Sequence, residues 1–365
     1  MQLTKYKIGS FVEPISLKMG TKNNVNIVGI NINKNFFPSR NFSKNTEKYL
    51  VVPPNHFACN LMHVGRDEMI PIALNNSNNE YIVSPAYNVF RVSKEDIILK
   101  EFFNIFLNTP EFDRYAWFCT DSSVRGNMDW ETFCNIDISI PPIPVQENFI
   151  NVYKSILRKI DQCVVSIKNL KNICHYELEK FIGKNNKVQL KGLIKRHSEK
   201  NSDNKIKNVK GVSVTQEFKN PTSKVNIENL SNYKIVKPRQ ISFVPANDTR
   251  KLFSYAFNNT DENIVVSYVN EVFSIDENKL IAEFLCIFLA RKEFDRYARY
   301  HSWGTAREVF TWGDMLEVEI PDVNINSQKS IAALYKTYLN KKLIYQKLCN
   351  TLENLYPILL KGALN

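Results

Sequence analysis

Two polar stretches of this sequence carry side chains suited to gripping a nucleic acid. TDSSVRGNMDW spans Thr120 to Trp130, and HSWGTAREVFTW spans His301 to Trp312. Each keeps an arginine five residues before a tryptophan: Arg125 with Trp130, and Arg307 with Trp312. Arginine donates to phosphate or guanine, Asn, Ser and Thr suit either, and small residues allow close approach. The competing reading is an ordinary loop whose arginine caps a helix. The candidate DNA contacts are Arg66, Arg91, Arg125 and Asn127 in the first half of the chain, and Arg239, Arg250, Lys251, His301, Thr305 and Arg307 in the second. Arg125 and Arg307 lead because both halves keep them, and Arg66 and Arg250 come next. Any of these residues could instead serve a structural ion pair.

Catalysis finds little support. The seven cysteines (Cys59, Cys119, Cys134, Cys163, Cys174, Cys286 and Cys349) form no C-x-x-C, and the five histidines form no H-x-x-H or H-E-x-x-H. Metal-ligand spacing is therefore missing. An adenine methyltransferase needs a D/N-P-P-Y/F pocket, whereas the only proline pairs read V-P-P-N at Pro53-Pro54 and I-P-P-I at Pro141-Pro142. No G-x-x-x-x-G-K-[ST] phosphate loop is present. A nuclease pattern can be forced from Pro321-Asp322 or Glu277-x-Lys279, but such pairs arise readily in a lysine-rich chain. The expectation is a reader with no catalytic or metal site and no cofactor of its own.

The net charge is +11. Between Gly183 and Lys210 nine Lys or Arg face two acidic residues. A basic field steers towards polyanions, of which nucleic acid is the commonest; a solubilising surface is the blander account. The start MQLTKYKIGS has no apolar leader core, and no run reaches the length of a membrane span. Scattered cysteines, odd in number, suit reduced thiols in a cytoplasm.

The elements that position these residues come in duplicate. EFDRYA occurs at Glu111 to Ala116 and again at Glu293 to Ala298, 182 positions on (293 − 111). IFL at Ile105 to Leu107 returns at Ile287 to Leu289, Gly29 pairs with Gly211 and Phe36 with Phe218 at the same offset, and YLVVPP at Tyr49 faces YKIVKP at Tyr233 at offset 184. The repeat spans nearly the whole chain, so each half is one domain rather than a solenoid unit. VNIVGININ and NIVVSYVNEVFSI alternate like half-buried strands. Ser93-Lys94-Glu95-Asp96 and Ser274-Ile275-Asp276-Glu277 read as capping boxes that open a helix. In EFDRYA, Phe112 and Tyr115 (Phe294 and Tyr297) face inward at i, i+3, and Asp113 and Arg114 stay on the polar face.

Each half closes with a proline-bounded strand and a long helix. Phe149, Tyr153, Ile156, Ile160, Cys163, Ile167, Leu170 and Cys174 keep heptad spacing. Leu334, Tyr338, Lys341, Tyr345, Leu348, Leu352, Leu355 and Leu359 keep the same rhythm, with Lys341 the one exception. A helix from Gln146 to Ile182 would be about 55 Å long. Two narrow seams of similar length favour a two-helix coiled coil between the halves, a rigid spacer; packing of each helix on its own domain is the alternative.

The order of globular domain, P-P-I-P-x-Q, long helix, second domain and second long helix resembles the specificity (S) subunit of type I restriction-modification systems. The resemblance is carried by IVSPAYNVFRV at Ile82 to Val92, SSVRGNMDWETFCNIDISIPPIPVQENF at Ser122 to Phe149 and KGLIKRHSEKNSDNKIKNVKGVS at Lys191 to Ser213. It implies an α+β chain with pseudo-twofold symmetry: two similar α/β target recognition domains, 1–144 and 188–326, joined by two long helices, 145–187 and 327–365, that form an antiparallel coiled coil. In that family each domain reads one part of a bipartite site in double-stranded DNA, and the helices set the spacing. Conserved regions recruit two methyltransferase subunits, which bind S-adenosylmethionine, and translocating nuclease subunits join that core. PDVNIN in the second half departs from the family's double proline, so that junction is less typical. The rivals are a stand-alone DNA-binding regulator and an interaction scaffold whose charge is incidental.

If the loop after the second EFDRYA contacts DNA, Arg307→Ala should weaken binding through the second half only. Titration against duplexes altered in one half-site at a time checks this, and unchanged binding would remove Arg307 from the interface.

Overall fold

The computed structural model describes every residue except 1–2, 21–25, 40–41, 44, 63, 121–125, 185, 223, 247–251, 304–307 and 361–365, and it describes no side chain for Arg66 or residues 356–360. The chain divides into two compact units, Met1–Asp161 with Gln346–Asn365, and Gln162–Tyr345.

In the first unit, strands Val12–Ile15, Asn88–Val92, Phe57–Cys59 and Ile72–Leu74 form one antiparallel sheet in that spatial order. A second sheet runs Phe36–Pro38, Asn26–Ile30, Tyr81–Val83, Leu50–Val52 and contains one parallel pair, Asn26 beside Tyr81. Strand Thr4–Lys7 pairs with Asp137–Ile140. The helices are α1 (Val64–Asp67), α2 (Lys100–Leu107), α3 (Pro110–Phe118), α4 (Trp130–Asn135) and the long α5 (Ile143–Glu179). Helices α2 to α4 and the root of α5 pack on the first sheet around Phe57, Phe90, Phe103, Phe112 and Phe133.

The second unit repeats this plan. Its four-stranded sheet runs Ile194–His197, Glu271–Ile275, Ile241–Phe243, Tyr255–Phe257. Lys187–Gln189 pairs with Glu319–Pro321, and α6 (Ala282–Leu289), α7 (Lys292–Tyr300) and α8 (Trp312–Leu316) precede the long α9 (Ile325–Leu360). The parallel pairing also returns, as a single bridge from Val209 to Val265. One turn is duplicated with the same hydrogen bonds in each unit. The Asn75 amide donates to the Val52 and Asn79 carbonyls, and the Asn258 amide donates to those of Val236 and Glu262.

Neither serine opens a helix. Ser93 donates backbone and side chain to the Phe11 carbonyl, and Ser274 pairs with His197. The first turns of α2 and α6 are instead satisfied by a buried glutamine from the long helix of the same unit. Gln146 Oε1 accepts from the Leu99 N–H at 2.9 Å, while its amide donates to the Ile97 and Pro141 carbonyls at 2.9 and 2.8 Å. Gln328 does the same for the Ile281 N–H at 2.9 Å and the Lys279 and Val323 carbonyls at 3.2 and 2.8 Å. Helix N-termini leave orphan donors, and any buried acceptor that reaches them can serve as the cap.

Phe112 and Phe294 are buried as the i, i+3 spacing requires. Asp113 departs from expectation, because it is buried rather than on the polar face. Its Oδ1 accepts from the Lys34 ammonium at 2.7 Å and from the Ile70 N–H at 3.2 Å. Asp295 likewise accepts from the Phe253 N–H at 2.9 Å. Burial pushes the Asp113 carboxyl up and the Lys34 ammonium down, and each partner opposes the shift in the other. EFDRYA therefore recurs in part because its aspartate pins an incoming segment in each unit.

Helix α5 starts three residues before Gln146 and ends at Glu179. The heptad stripe is its covered face. Phe149, Tyr153, Ile156, Ile160, Ile167 and Leu170 are half-buried and Cys163 and Cys174 buried, while most intervening positions are exposed. On α9, Leu334, Tyr338, Lys341, Tyr345, Leu348, Leu352 and Leu355 are all half-buried; the Leu359 side chain lies outside the described residues. In the second unit Cys174 and His175 of α5 share a small cavity with Tyr335 and Tyr338 of α9.

Gln146→Ala should cost the first unit about 1–3 kcal/mol, because it leaves a buried N–H and carbonyl unmet. Gln328→Ala should do the same to the second. Calorimetry of the full chain should show earlier melting for each variant, and Gln146→Glu should be worse because a carboxylate would face two carbonyls. A wild-type melting profile for Gln146→Ala would contradict this role.

Candidate nucleic-acid interface

The segments that follow α3 and α7 are fixed by backbone contacts to a second segment of their own unit. In the first unit the Gly65 N–H of α1 donates to the Gly126 carbonyl at 2.8 Å, and Met128 N–H donates to Leu61 at 3.0 Å. A methyl group on Gly65 would fall 2.5 Å from the Gly126 Cα, and Gly126 has φ +57°. Only glycine combines that approach with that backbone. This contact brings the backbone of Arg66, next to Gly65, beside that of Asn127, next to Gly126. Asn127 is half-buried.

In the second unit the equivalent junction uses a ladder. Trp303 and Val309 exchange backbone hydrogen bonds of 3.2 and 3.0 Å, Ala246 bridges to Val309, and Phe310 N–H donates to Pro245 at 2.8 Å. The flanks of 247–251 and of 304–307 are thus neighbours. Arg125, Arg250, Lys251, Thr305 and Arg307 themselves lie outside the described residues, as does the Arg66 side chain.

His301 is the C-cap of α7. Its ring lies 4.2 Å from that of Tyr297 and 5.1 Å from that of Tyr300. It also lines a cavity of about 450 Å³ with Phe288, Phe294 and Tyr297. Glu293, Glu317 and Glu319 line that cavity alongside Lys187 and Arg291, which pair with Glu319 at 3.1 Å and with Glu293 at 3.7 Å.

Arg91 and Arg239 are ion-paired, the alternative left open by their sequence. Arg91 reaches Glu13 across the sheet at 2.8 Å, and both side chains are about half exposed. Arg239 is more deeply committed. Its Nε and Nη2 donate to Glu277, and its Nη1 and Nη2 to buried Glu283. Its backbone is left-handed at φ +67°, and its guanidinium lies 5.0 Å from the Phe257 ring. Burial pushes the Glu283 carboxyl up, but the Arg239 hydrogen bonds, a backbone hydrogen bond and the Arg239 and Lys336 charges together outweigh it and hold the group below its ordinary range. Arg239 thus ties buried Glu283 at the start of α6 and surface Glu277 together, with all three of its guanidinium nitrogens engaged. The basic run is partly neutralised too: Arg196 forks onto Glu271, and Lys187 meets Glu319 at 3.1 Å.

The sequence reading passed over the outer faces of α3 and α7. There Arg114 and Arg296 project into solvent, Trp117 is exposed, and Phe118 and Tyr300, with Trp303 just beyond α7, are among the most exposed apolar side chains of the described residues. The available signal was the offset of 182 between Phe118 and Tyr300 (300 − 118). Among the described residues no cluster of three or more His, Cys, Asp or Glu could hold a metal ion, and no helix is long and apolar enough to cross a membrane.

Two similar α+β units, each contributing to and rooted on long helices, define the architecture. No protein-family model matches the sequence, and no curated protein matches it. The fold is shared with the S subunit of a type I restriction-modification system from M. genitalium, at TM-score 0.63 and 12% identity over 99% of this chain and 96% of that one. Two further matches are the HsdS subunit from Thermoanaerobacter tengcongensis (TM-score 0.41, 12% identity, 98% and 95% covered) and a structure of type I restriction-modification complex assembly (TM-score 0.44, 12% identity, 98% and 96% covered). The resemblance noted in the sequence thus extends to the fold along almost its whole length.

Arg239→Ala should lower the unfolding free energy on the order of 3 kcal/mol, since it leaves the buried Glu283 carboxylate with the Lys336 ammonium at 3.6 Å and no guanidinium fork. Arg91→Ala should cost less than about 1 kcal/mol. Urea unfolding of the two variants checks the contrast, and equal midpoint shifts would contradict it.

Proposed function

We propose that this chain is the DNA-recognition subunit of a type I restriction-modification complex. The observation that carries the reading is the duplicated domain on long helices, in a fold shared with an S subunit across 99% of the chain. Each unit reads one part of a bipartite site in double-stranded DNA. The segments joined at Gly65 and Gly126 form one reading head, and those joined at Ala246 and Val309 form the other. Helices α5 and α9 pair along their heptad stripes as an antiparallel coiled coil and set the separation of the two half-sites. The 37 residues of α5 give a rod of about 55 Å.

The chain performs no chemistry in this scheme. Two methyltransferase subunits dock on its conserved regions, carry the S-adenosylmethionine and modify the site that this chain selects. Nuclease subunits add restriction to the same core. The complex works in the cytoplasm, where the DNA is. Charge supports the reading: at +11 the chain is attracted to duplex DNA before any base is read.

Methylome sequencing of the native host with and without the gene tests the proposal. Deletion should erase one bipartite methylated motif and leave all others. A methylome unchanged by deletion, in a host that expresses the protein, would count against it.

A further inference from the structure

The inner faces of α3 and α7 are accounted for by the fold, and their outer faces are not. Arg114 and Arg296 occupy the same position of EFDRYA, with side chains 72% and 76% exposed. Their partners are Glu111 and Glu293 one turn back, at 3.5 and 3.1 Å. Such solvated i, i+3 pairs are weak and exchange readily. Four residues beyond each arginine, on the same face, stands an aromatic ring: Phe118 is 83% exposed and Tyr300 81%. Rings so exposed add little packing to either helix, although Tyr300 meets the neighbouring His301 ring edge-on at 5.1 Å.

The arginine is kept within the shared EFDRYA and an aromatic ring four residues on is kept as Phe118 or Tyr300, although other positions of the two helices and their ends have diverged. Pro110, Trp117 and Cys119 stand where Lys292, Arg299 and His301 stand in the second unit. A feature shared by two diverged units meets something that is the same at both. The bases of two half-sites differ, but the sugar-phosphate backbone does not. Arginine is the residue that orients a protein on phosphate, and aromatic side chains accept nucleotide faces without regard to sequence. The charge agrees, because exposed Lys292 and Arg299 add two cations to the second stripe and the whole chain is basic. Both helices also run directly into the segments proposed above as reading heads.

We propose that Arg114 with Phe118, and Arg296 with Tyr300, form a sequence-independent grip on the DNA backbone, one for each half-site. The guanidinium takes a phosphate and the ring packs on the adjoining sugar or base face. This rests on the DNA-recognition reading and adds the residues that position the duplex rather than read it.

The test is fluorescence anisotropy of the full-length chain with its methyltransferase partners, on the methylated-motif duplex and on a scrambled duplex, across a salt series. Arg114→Ala and Arg296→Ala should weaken both duplexes alike, and each should make the slope of log K against log salt shallower by about one. Arg→Lys at either site should restore the slope. Phe118→Ala and Tyr300→Ala should weaken both duplexes without changing the slope. All four positions are exposed, so thermal unfolding should stay at the wild-type midpoint. Wild-type slopes in both arginine variants would overturn the grip while leaving DNA recognition intact. Loss of methyltransferase from the purified complex at unchanged DNA affinity would also overturn it, by giving this face to a protein partner. Failure of the wild-type complex to prefer its motif would instead remove the recognition reading, and the grip with it.

Discussion

A single buried amide determines how each long helix leaves its domain. Gln146 is the fourth residue of α5 and Gln328 the fourth of α9, and each ties its helix to the start of α2 or α6 through one acceptor and one donor contact, while a second donor contact holds the carbonyl of Pro141 or Val323 before its own helix. A glutamine is the right side chain for the task, because it offers both polarities at one planar end. The geometry is demanding. On a rod of about 55 Å, a tilt of about 5° at the root moves the far end by about 5 Å. An apolar residue there would pack but would not fix the angle, because hydrophobic contact is non-directional.

The two units keep backbone geometry more faithfully than side-chain chemistry. Lys34 and Gln216 stand at equivalent places with φ +56° and +63°, and Asn55 and Arg239 with φ +63° and +67°. The left-handed turns survive while the side chains on them take different work. Lys34 enters the core to meet Asp113, whereas Gln216 lines the cavity beside Tyr335 and Tyr338. Asn55 sits in a turn, while Arg239 clamps two carboxylates. Thr109 caps α3 with its hydroxyl, and its counterpart Arg291 reaches Glu179 of α5 instead. Duplication supplied one frame, and each copy then satisfied its buried polar groups separately.

What the sequence made legible follows from what is local. The duplication was visible as identical residues at fixed offset, and the covered stripes of α5 and α9 were visible because heptad spacing is a property of one helix. The helix starts were misread because their caps come from 47 residues away, beyond the reach of any Ser-x-x-acid pattern. Asp113 was placed on the polar face because its partner Lys34 lies 79 residues distant. The commitment of Arg239 was equally hidden, since Glu277 and Glu283 join it only through the fold. The strand alternation of the sheets was readable in part, and their spatial order was not, since pairing across the sheet depends on residues far apart in the chain.

The contact between Gly65 and Gly126 bears on how such a protein can change. Two bare backbones meet there, so the contact itself is made without a side chain. Residues on either side can drift through selection without disturbing the frame that presents them. The second unit reaches the same freedom through the backbone ladder of Trp303, Val309 and Ala246. A substitution at a position flanking these backbone contacts therefore leaves the contacts themselves in place in either unit.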